Sequence, residues 1–231
     1  ILLTTLNSKF IHSNLAIRYL KAFVDDVYNV DLVEFTINQK SEDIAAEIFL
    51  MKPSIVGFSA YIWNIDLVLE ICHILKLTSP DIRIILGGPE VSYDPKVIIR
   101  NNSFIDMIVY GEGEQSFKEL VTVVQLSDIR GLAYRDGNEI VVNPSRPLIE
   151  DLGLLPFPYT DEDILENKIV YYEASRGCPF NCAFCLSSTI RGVRFFPIGR
   201  VKRDLDYLMA SKAKQVKFVD RTFNANKEFS K

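Results

Sequence analysis

Long apolar segments are missing from this sequence of 231 residues. No run approaches the roughly 18 consecutive apolar residues that a membrane-spanning helix needs, and charged residues are spread along the whole chain. The first residues, Ile-Leu-Leu-Thr-Thr-Leu, include neither an initiator methionine nor the basic flank and cleavage site of a secretory signal. We therefore expect no membrane partner, and we expect the natural sequence to begin a few residues earlier.

Cysteine is scarce, and there is no excess of positive charge. Only four cysteines are present, three of them within residues 178–185, so the sequence predicts no disulfide framework and favours the reducing cytoplasm. The net charge of −4 and the pI near 5.3 argue against a nucleic-acid surface spread over the whole protein. Apolar residues make up 48% of the chain, which predicts well-filled cores. Small molecules are the expected partners.

Residues 1–125 alternate short apolar runs with amphipathic stretches, a pattern typical of a parallel sheet wrapped by helices. The predicted strands are Ile1–Leu6, Val30–Ile37, Ile55–Ser59, Ile82–Leu86 and Met107–Tyr110. Helices are predicted after Ser13-Asn14, from Ser41 to before Pro53, and over Ile65–Leu77, Pro95–Arg100 and Glu114–Val124. This order predicts a doubly wound, Rossmann-like or flavodoxin-like α/β domain, whose ligand crevice lies beyond the carboxyl ends of the strands.

The remaining chain divides into two parts. Residues 126–160 contain a hairpin signal around Asp136-Gly137-Asn138 and then four prolines, which together predict a linker between domains. Residues 161–231 form the start of a second domain, with a strand from Ile169, a helix over Arg200–Ser211 and a strand over Val216–Val219. This second part amounts to one βαβ unit.

Three cysteines follow one another at the spacing C-x3-C-x2-C, namely Cys178, Cys182 and Cys185. Thiolates hold the irons of a [4Fe–4S] cluster, and three of them leave one iron open to an exchangeable ligand. A structural zinc site would need a fourth ligand, and neither a cysteine nor a histidine lies nearby in the sequence. The cluster is the preferred interpretation, and a zinc site with a remote ligand or cysteines that only pack are the alternatives.

The motif Cys178-x3-Cys182-x-Phe184-Cys185 resembles the cluster motif of the radical S-adenosylmethionine (SAM) superfamily. The resemblance implies a [4Fe–4S] cluster whose open iron binds SAM, and an electron that cleaves SAM to a 5′-deoxyadenosyl radical. It also implies that Phe184 lies near the adenine and that the strand end at residues 219–224 faces the cluster, with Asp220 on the SAM side. The family fold is a partial or full (β/α) barrel, and residues 161–231 are too few to complete one. We therefore expect the chain to be a truncated part of the enzyme that is inactive alone.

The first domain resembles the cobalamin-binding domain of one large branch of that superfamily. The resemblance lies in Ile55-Val-Gly-Phe-Ser-Ala, Leu86-Gly-Gly-Pro-Glu-Val and Tyr110-Gly-Glu-Gly-Glu, all at carboxyl ends of predicted strands. The cobalamin-side residues it implies are Ser59, Gly87, Gly88, Pro89, Gly111, Glu112 and Gly113. Glycines let a backbone approach a bulky ligand, although the same glycines also suit a plain turn or a helix cap.

The histidine signature Asp-x-His-x-x-Gly of many cobalamin domains is absent, and the corresponding loop carries His12 without that aspartate. His12 is a candidate cobalt ligand, with a solvated or capping role as the alternative.

Three functions follow. The first is a cobalamin-dependent radical SAM enzyme, with methyl transfer to an unknown small-molecule substrate as the commonest implied reaction and an electron donor such as flavodoxin or ferredoxin as a partner. The second is a radical SAM enzyme whose first domain does not bind cobalamin. The third is a regulatory protein that binds zinc or senses redox state through its cysteines.

Overall fold

The computed structural model describes residues 1–122, 125–161, 163, 165–190 and 192–229. The chain divides into two compact units, the first made of residues 1–10 and 16–148 and the second of residues 11–15 and 149–231. None of the described helices combines the length and the apolar character needed to cross a membrane.

The first unit contains a seven-stranded sheet in the order β2-β1-β3-β4-β5-β6-β7. Neighbouring strands among the first five are parallel, and β6 and β7 are antiparallel additions at the edge beyond β5. The strands are β1 (Leu2–Asn7), β2 (Asp31–Thr36), β3 (Ile55–Ser59), β4 (Arg83–Gly87), β5 (Met107–Val109), β6 (Leu132–Asp136) and β7 (Glu139–Val142). The predicted doubly wound α/β fold is confirmed.

Helices cover both faces of this sheet. Successive side chains of a strand point to opposite faces, so the apolar strands present apolar side chains on both sides that the helices bury. In β1, Leu2 and Leu6 join a core with residues of α2, α3 and α5, whereas Leu3 joins a second core with residues of α1 and α6. The helices are α1 (Leu15–Val24), α2 (Ser41–Met51), α3 (Ile65–Thr78), α4 (Pro89–Ser92), α5 (Pro95–Asn101) and α6 (Glu114–Thr122). The predicted extension of α6 to Val124 lies outside the described residues, and the single turn α4 was not predicted.

The hairpin of β6 and β7 is part of the sheet, whereas it was predicted to belong to the linker. β6 pairs antiparallel with β5, with Leu132 opposite Val109 and Tyr134 opposite Met107. Leu132 and Tyr134 are buried in an apolar cluster with Ile85, Met107 and Val109. The hairpin joins the sheet because it buries this apolar surface and its strand β6 forms hydrogen bonds with the otherwise unpaired edge of β5.

The second unit contains two small sheets. β8 (Ile169–Tyr172) pairs parallel with β11 (Gln215–Phe218), and β9 (Ser175–Cys178) pairs antiparallel with β10 (Gly192–Phe195). Helix α7 (Ile198–Ala210) connects β10 to β11 and begins after Pro197, two residues before the predicted start. The predicted βαβ unit is therefore confirmed, the β9–β10 hairpin was not predicted, and the larger barrel stays a prediction.

Candidate cofactor sites

Ser59 ends β3 and stands opposite Thr5 of β1 in the parallel register. The two side chains lie on the same face of the sheet, and the Ser59 hydroxyl donates a hydrogen bond of 2.6 Å to the Thr5 hydroxyl. Only 6% of Ser59 is exposed. The structure therefore shows a buried hydroxyl pair between neighbouring strands, and contact between Ser59 and a nucleotide tail stays a prediction.

Asn64 organises the loop that follows β3, a role that the sequence analysis missed. Its side chain is buried, accepts a hydrogen bond from the Tyr61 backbone N–H, and donates to the carbonyl oxygens of Leu6 and Ser59. The distances are 2.7, 3.2 and 3.1 Å. Asparagine directly before a helix is an N-cap signal, but here the side chain ties the ends of β1 and β3 together instead.

An exposed aromatic surface lies on the same loop. The rings of Tyr61 and Trp63 stack with their centroids 4.5 Å apart and their planes at 6°. Ile62 between them is 79% exposed, and Trp63 is 52% exposed. Large apolar side chains that project from the carboxyl end of a central strand suit a flat, partly apolar ligand.

Gly88 brings the loop after β4 into contact with the loop after β3. Its φ of 111° is unfavourable for any residue with a side chain, and a Cβ there would lie 2.5 Å from the Ala60 carbonyl oxygen. The Ala60 N–H donates to the Gly87 carbonyl at 2.7 Å, and Pro89 opens α4. Gly88 therefore permits close contact between its own loop and the backbone of Ala60.

The loop after β5 is less crowded. Gly111 has a φ of 79°, and a Cβ at this position would meet no atom within 4 Å. Glu112 is half-buried, and the Gly113 carbonyl accepts the Phe117 N–H near the start of α6. The ends of β3, β4 and β5 carry these three loops along one edge of the sheet, as predicted from their order.

His12 belongs to the second unit, where its segment pairs with β8 at Ile169. Its Nδ1 atom lies 2.6 Å from the Tyr171 hydroxyl, and the two rings stack. Burial raises the pKa of Tyr171, so this phenol stays protonated at neutral pH. Tyr171 fixes the orientation of the imidazole ring, a function that the absent aspartate would otherwise serve. Cobalt ligation by His12 stays a prediction.

The three cysteines of the motif lie on one loop of the second unit. Cys178 ends β9 and is partly exposed, while Cys182 and Cys185 are exposed, and none of the three forms a disulfide. The Cys185 N–H donates to the Cys182 carbonyl at 3.1 Å, which closes a turn between these two positions. Phe184 is 95% exposed beside the last cysteine.

Cys72 differs from these three. It is fully buried in the core of the first unit, and burial together with the nearby Asp106 carboxylate raises the pKa of its thiol. A thiol that stays protonated among apolar side chains is a packing residue.

Three thiols are a donor set that suits an iron–sulfur cluster. In the described parts of the chain, no group of three or more His, Cys, Asp and Glu side chains converges on one point as a zinc ion would require. Each thiolate of a cubane binds its own iron, so the sulfur atoms surround the cluster and do not meet at a single ion. Three cysteines on one accessible loop are suitable donors for such a cluster.

Asp220 follows β11 and holds the chain that leads into the cysteine loop. Its carboxylate accepts hydrogen bonds from the Ala174 N–H, at 3.0 Å, and from the Ser175 hydroxyl. Both carboxylate oxygens therefore bind the protein, which favours a positioning role. Contact between Asp220 and SAM stays a prediction.

Comparisons with known proteins indicate the family of the chain. The family model "B12 binding domain" matches residues 1–121. An uncharacterized methyltransferase of Pyrococcus horikoshii is 32% identical over 230 residues, covering 93% of this chain and 50% of that protein. The cobalamin-dependent radical SAM methyltransferase TokK of Streptomyces tokunonensis is 27% identical over 192 residues, covering 75% of this chain and 28% of that protein.

Solved structures show the same fold. The cobalamin-dependent radical enzyme OxsB, with aqua-cobalamin and SAM bound, superposes with a TM-score of 0.77 at 21% identity over 96% of this chain and 34% of that chain. TsrM from Kitasatospora setae, a radical SAM methyltransferase with cobalamin and a [4Fe–4S] cluster bound, gives 0.74 at 18% identity over 99% of this chain and 49% of that chain. The chain spans about half the length, or less, of these relatives.

This chain belongs to the B12 binding domain family, in the branch of the radical SAM superfamily that carries such a domain ahead of the radical domain.

Proposed function

We propose that the chain is the cofactor-binding part of a cobalamin-dependent radical SAM enzyme, with methyl transfer as its reaction. One observation carries the proposal: a B12 binding domain over residues 1–121 is followed in the same chain by the C-x3-C-x2-C motif of Cys178, Cys182 and Cys185. Its similarity to the cobalamin-dependent radical SAM methyltransferase TokK and to TsrM, a radical SAM methyltransferase with cobalamin bound, supports it.

In this proposal the carboxyl edge of the first sheet holds cobalamin. The stacked Tyr61 and Trp63 and the exposed Ile62 supply apolar surface for the corrin ring. Gly88 and Asn64 keep the loops in place so that this surface is preformed, and preformed sites bind with a smaller loss of conformational entropy. The Thr5–Ser59 hydroxyl pair and the loop 111–113 border the same edge.

The cysteine loop holds the cluster in the second unit. A cluster bound there would supply the electron that cleaves SAM to methionine and a 5′-deoxyadenosyl radical. Three thiolates hold three irons, so this chain leaves the fourth coordination position to a small molecule. Phe184 presents an exposed ring beside Cys185, where an adenine could stack. The substrate is a small molecule, and the electron donor is of the flavodoxin or ferredoxin class.

The test uses the protein with its complete natural sequence, reconstituted anaerobically with iron and sulfide. We expect four irons per chain, cleavage of SAM to 5′-deoxyadenosine under reducing conditions, and retention of hydroxocobalamin after gel filtration. Alanine at Cys178, Cys182 or Cys185 should each abolish the cluster, whereas Cys72→Ala, the matched control, should retain it because Cys72 packs in the other unit.

Three outcomes separate the alternatives. Cleavage of SAM without retention of cobalamin would leave a radical enzyme whose first domain serves another purpose. Stoichiometric zinc without cleavage would indicate a regulatory metal protein. Loss of iron from the Cys72→Ala protein would show that the ligand assignment is wrong.

A further inference from the structure

The segment after β11 reaches the cysteine loop with a second side chain. The Thr222 hydroxyl oxygen lies 3.5 Å from the Cys178 sulfur, within hydrogen-bonding distance for sulfur. Cys178 and Thr222 are separated by 44 positions in the sequence, so only the tertiary structure brings them together. The C-x3-C-x2-C spacing does not include Thr222, and the family resemblance implies only that residues 219–224 as a whole face the cluster.

The chain segments before and after Thr222 are both held by contacts with the rest of the second unit. Before it, the Val219 N–H donates to the Tyr172 carbonyl at 2.9 Å, and Asp220 binds Ala174 and Ser175. After it, the Phe223 ring packs against Phe218 with centroids 5.0 Å apart, and the Ala225 N–H donates to the Thr222 carbonyl. Because threonine is branched at Cβ, its χ1 angle is restricted as well. The hydroxyl is therefore held beside the sulfur.

The direction of this hydrogen bond follows from the chemistry of the ligand. A cysteine that binds iron is a thiolate, which can accept a hydrogen bond but has no proton to donate. The Thr222 hydroxyl must then be the donor. Reduction of a cluster adds negative charge that is shared with its sulfur ligands, and a donor stabilises the more negative state to a greater extent.

We propose that Thr222 acts through Cys178 to raise the reduction potential of the bound cluster. This inference rests on the proposed function, because it requires a cluster on Cys178. Asp220 assists by holding the backbone of the segment in register with the start of β9. The amino-terminal thiolate of the motif is thereby distinguished from the exposed Cys182 and Cys185.

The experiment compares Thr222→Val with Thr222→Ser in the complete, reconstituted protein. Valine keeps the branched shape and removes the hydroxyl, whereas serine keeps the hydroxyl. Iron and sulfide content is measured first, and the potential is then measured by titration with dithionite followed by electron paramagnetic resonance. We expect wild-type iron content in both variants, a more negative potential for Thr222→Val, and a potential near wild type for Thr222→Ser.

A second measurement tests the bond directly. In deuterated buffer, electron–nuclear double resonance of the reduced cluster should detect an exchangeable deuteron in the wild type and in Thr222→Ser, and this signal should be lost in Thr222→Val. If valine prevents cluster binding, Thr222→Ala replaces it in both measurements.

The outcomes distinguish the inference from the proposed function. A hydroxyl-free variant with full iron content and the wild-type potential would overturn the role of Thr222 and leave the cluster assignment intact. A serine variant whose potential matches that of valine would overturn it too. Failure of the wild type itself to bind four irons would instead reject the proposed function, and the inference with it.

Discussion

Replacing Gly88 by alanine should destabilise the first unit far more than the same change at Gly111. Both glycines have positive φ, 111° and 79°, and both lie in loops at the carboxyl edge of the sheet. They differ in their surroundings, because a Cβ at Gly88 would lie 2.5 Å from the Ala60 carbonyl oxygen, while a Cβ at Gly111 would meet nothing within 4 Å. Comparing the two alanine variants therefore separates the cost of backbone strain from the cost of steric clash.

The two costs can be estimated separately. An alanine with positive φ costs about 1–2 kcal/mol in conformational strain, and this is the whole effect at Gly111. At Gly88 the backbone of one loop must also move away from Ala60, which adds about 1–3 kcal/mol as in other overpacked sites. We expect a loss of about 4 kcal/mol for Gly88→Ala and about 1 kcal/mol for Gly111→Ala. For a unit of this size, the melting temperature should fall by about 12 °C and 3 °C.

Trp63 provides the assay. It is the single tryptophan of the sequence, and it lies on the loop that contacts Gly88 through Ala60. Its fluorescence during urea unfolding reports on the first unit, and the shift of the midpoint at constant slope gives the change in the free energy of unfolding. If Gly88→Ala were no less stable than Gly111→Ala, the close approach between the two loops would be wrong.

Three further predictions concern buried hydrogen bonds. Asn64→Ala should lower the free energy of unfolding by about 2–3 kcal/mol in urea titrations, because its hydrogen bonds to Leu6 of β1, to Ser59 of β3 and to Tyr61 are lost; an unchanged midpoint would refute this. Asp220→Ala and Ser175→Ala should be non-additive by about 1 kcal/mol in a double-mutant cycle, whereas additive losses would show that the carboxylate does not bind the hydroxyl. Tyr172→Phe should cost about 1 kcal/mol, since the hydroxyl donates to Asp204 at 3.0 Å. Burial and the Asp204 carboxylate raise the pKa of Tyr172 above its usual value near 10. The contribution of the Tyr172 hydroxyl to stability is therefore complete below pH 10 and is lost as the pH rises further. The phenylalanine variant should lose less stability than the wild type between neutral and alkaline pH, and equal losses would contradict the assignment.

Local sequence signals predicted most of the elements, because burial on both faces of a parallel sheet leaves nearly continuous apolar runs. The strands from Leu2 to Val109 and the helices α2, α3 and α5 agree with the prediction to within a few residues. The cysteine motif was equally readable, since its three ligands lie within one short loop. In each of these cases the determining interactions are local, or the order of apolar and polar residues indicates which side chains are buried.

Features that depend on contacts between residues far apart in the sequence were determined only by the tertiary structure. The hairpin of β6 and β7 reads as a linker in the sequence, because nothing in residues 132–142 reveals that the edge of β5 is open and that its apolar neighbours need cover. Asn64 received no role from the sequence, because the Leu6 carbonyl that it binds lies 58 residues away in the chain.

The same holds for the candidate sites. The sequence predicts a turn or a ligand contact at Gly88, and only the fold places the Ala60 carbonyl against it. The resemblance implies that residues 219–224 face the cluster, and only the pairing of β11 with β8 identifies Thr222 as the residue beside Cys178. The sequence by itself therefore determined the elements and the ligand types. Only the fold determined which backbone and hydroxyl groups support those ligands, because hydrogen bonds and steric contacts act over a few ångströms between residues that are far apart in the chain.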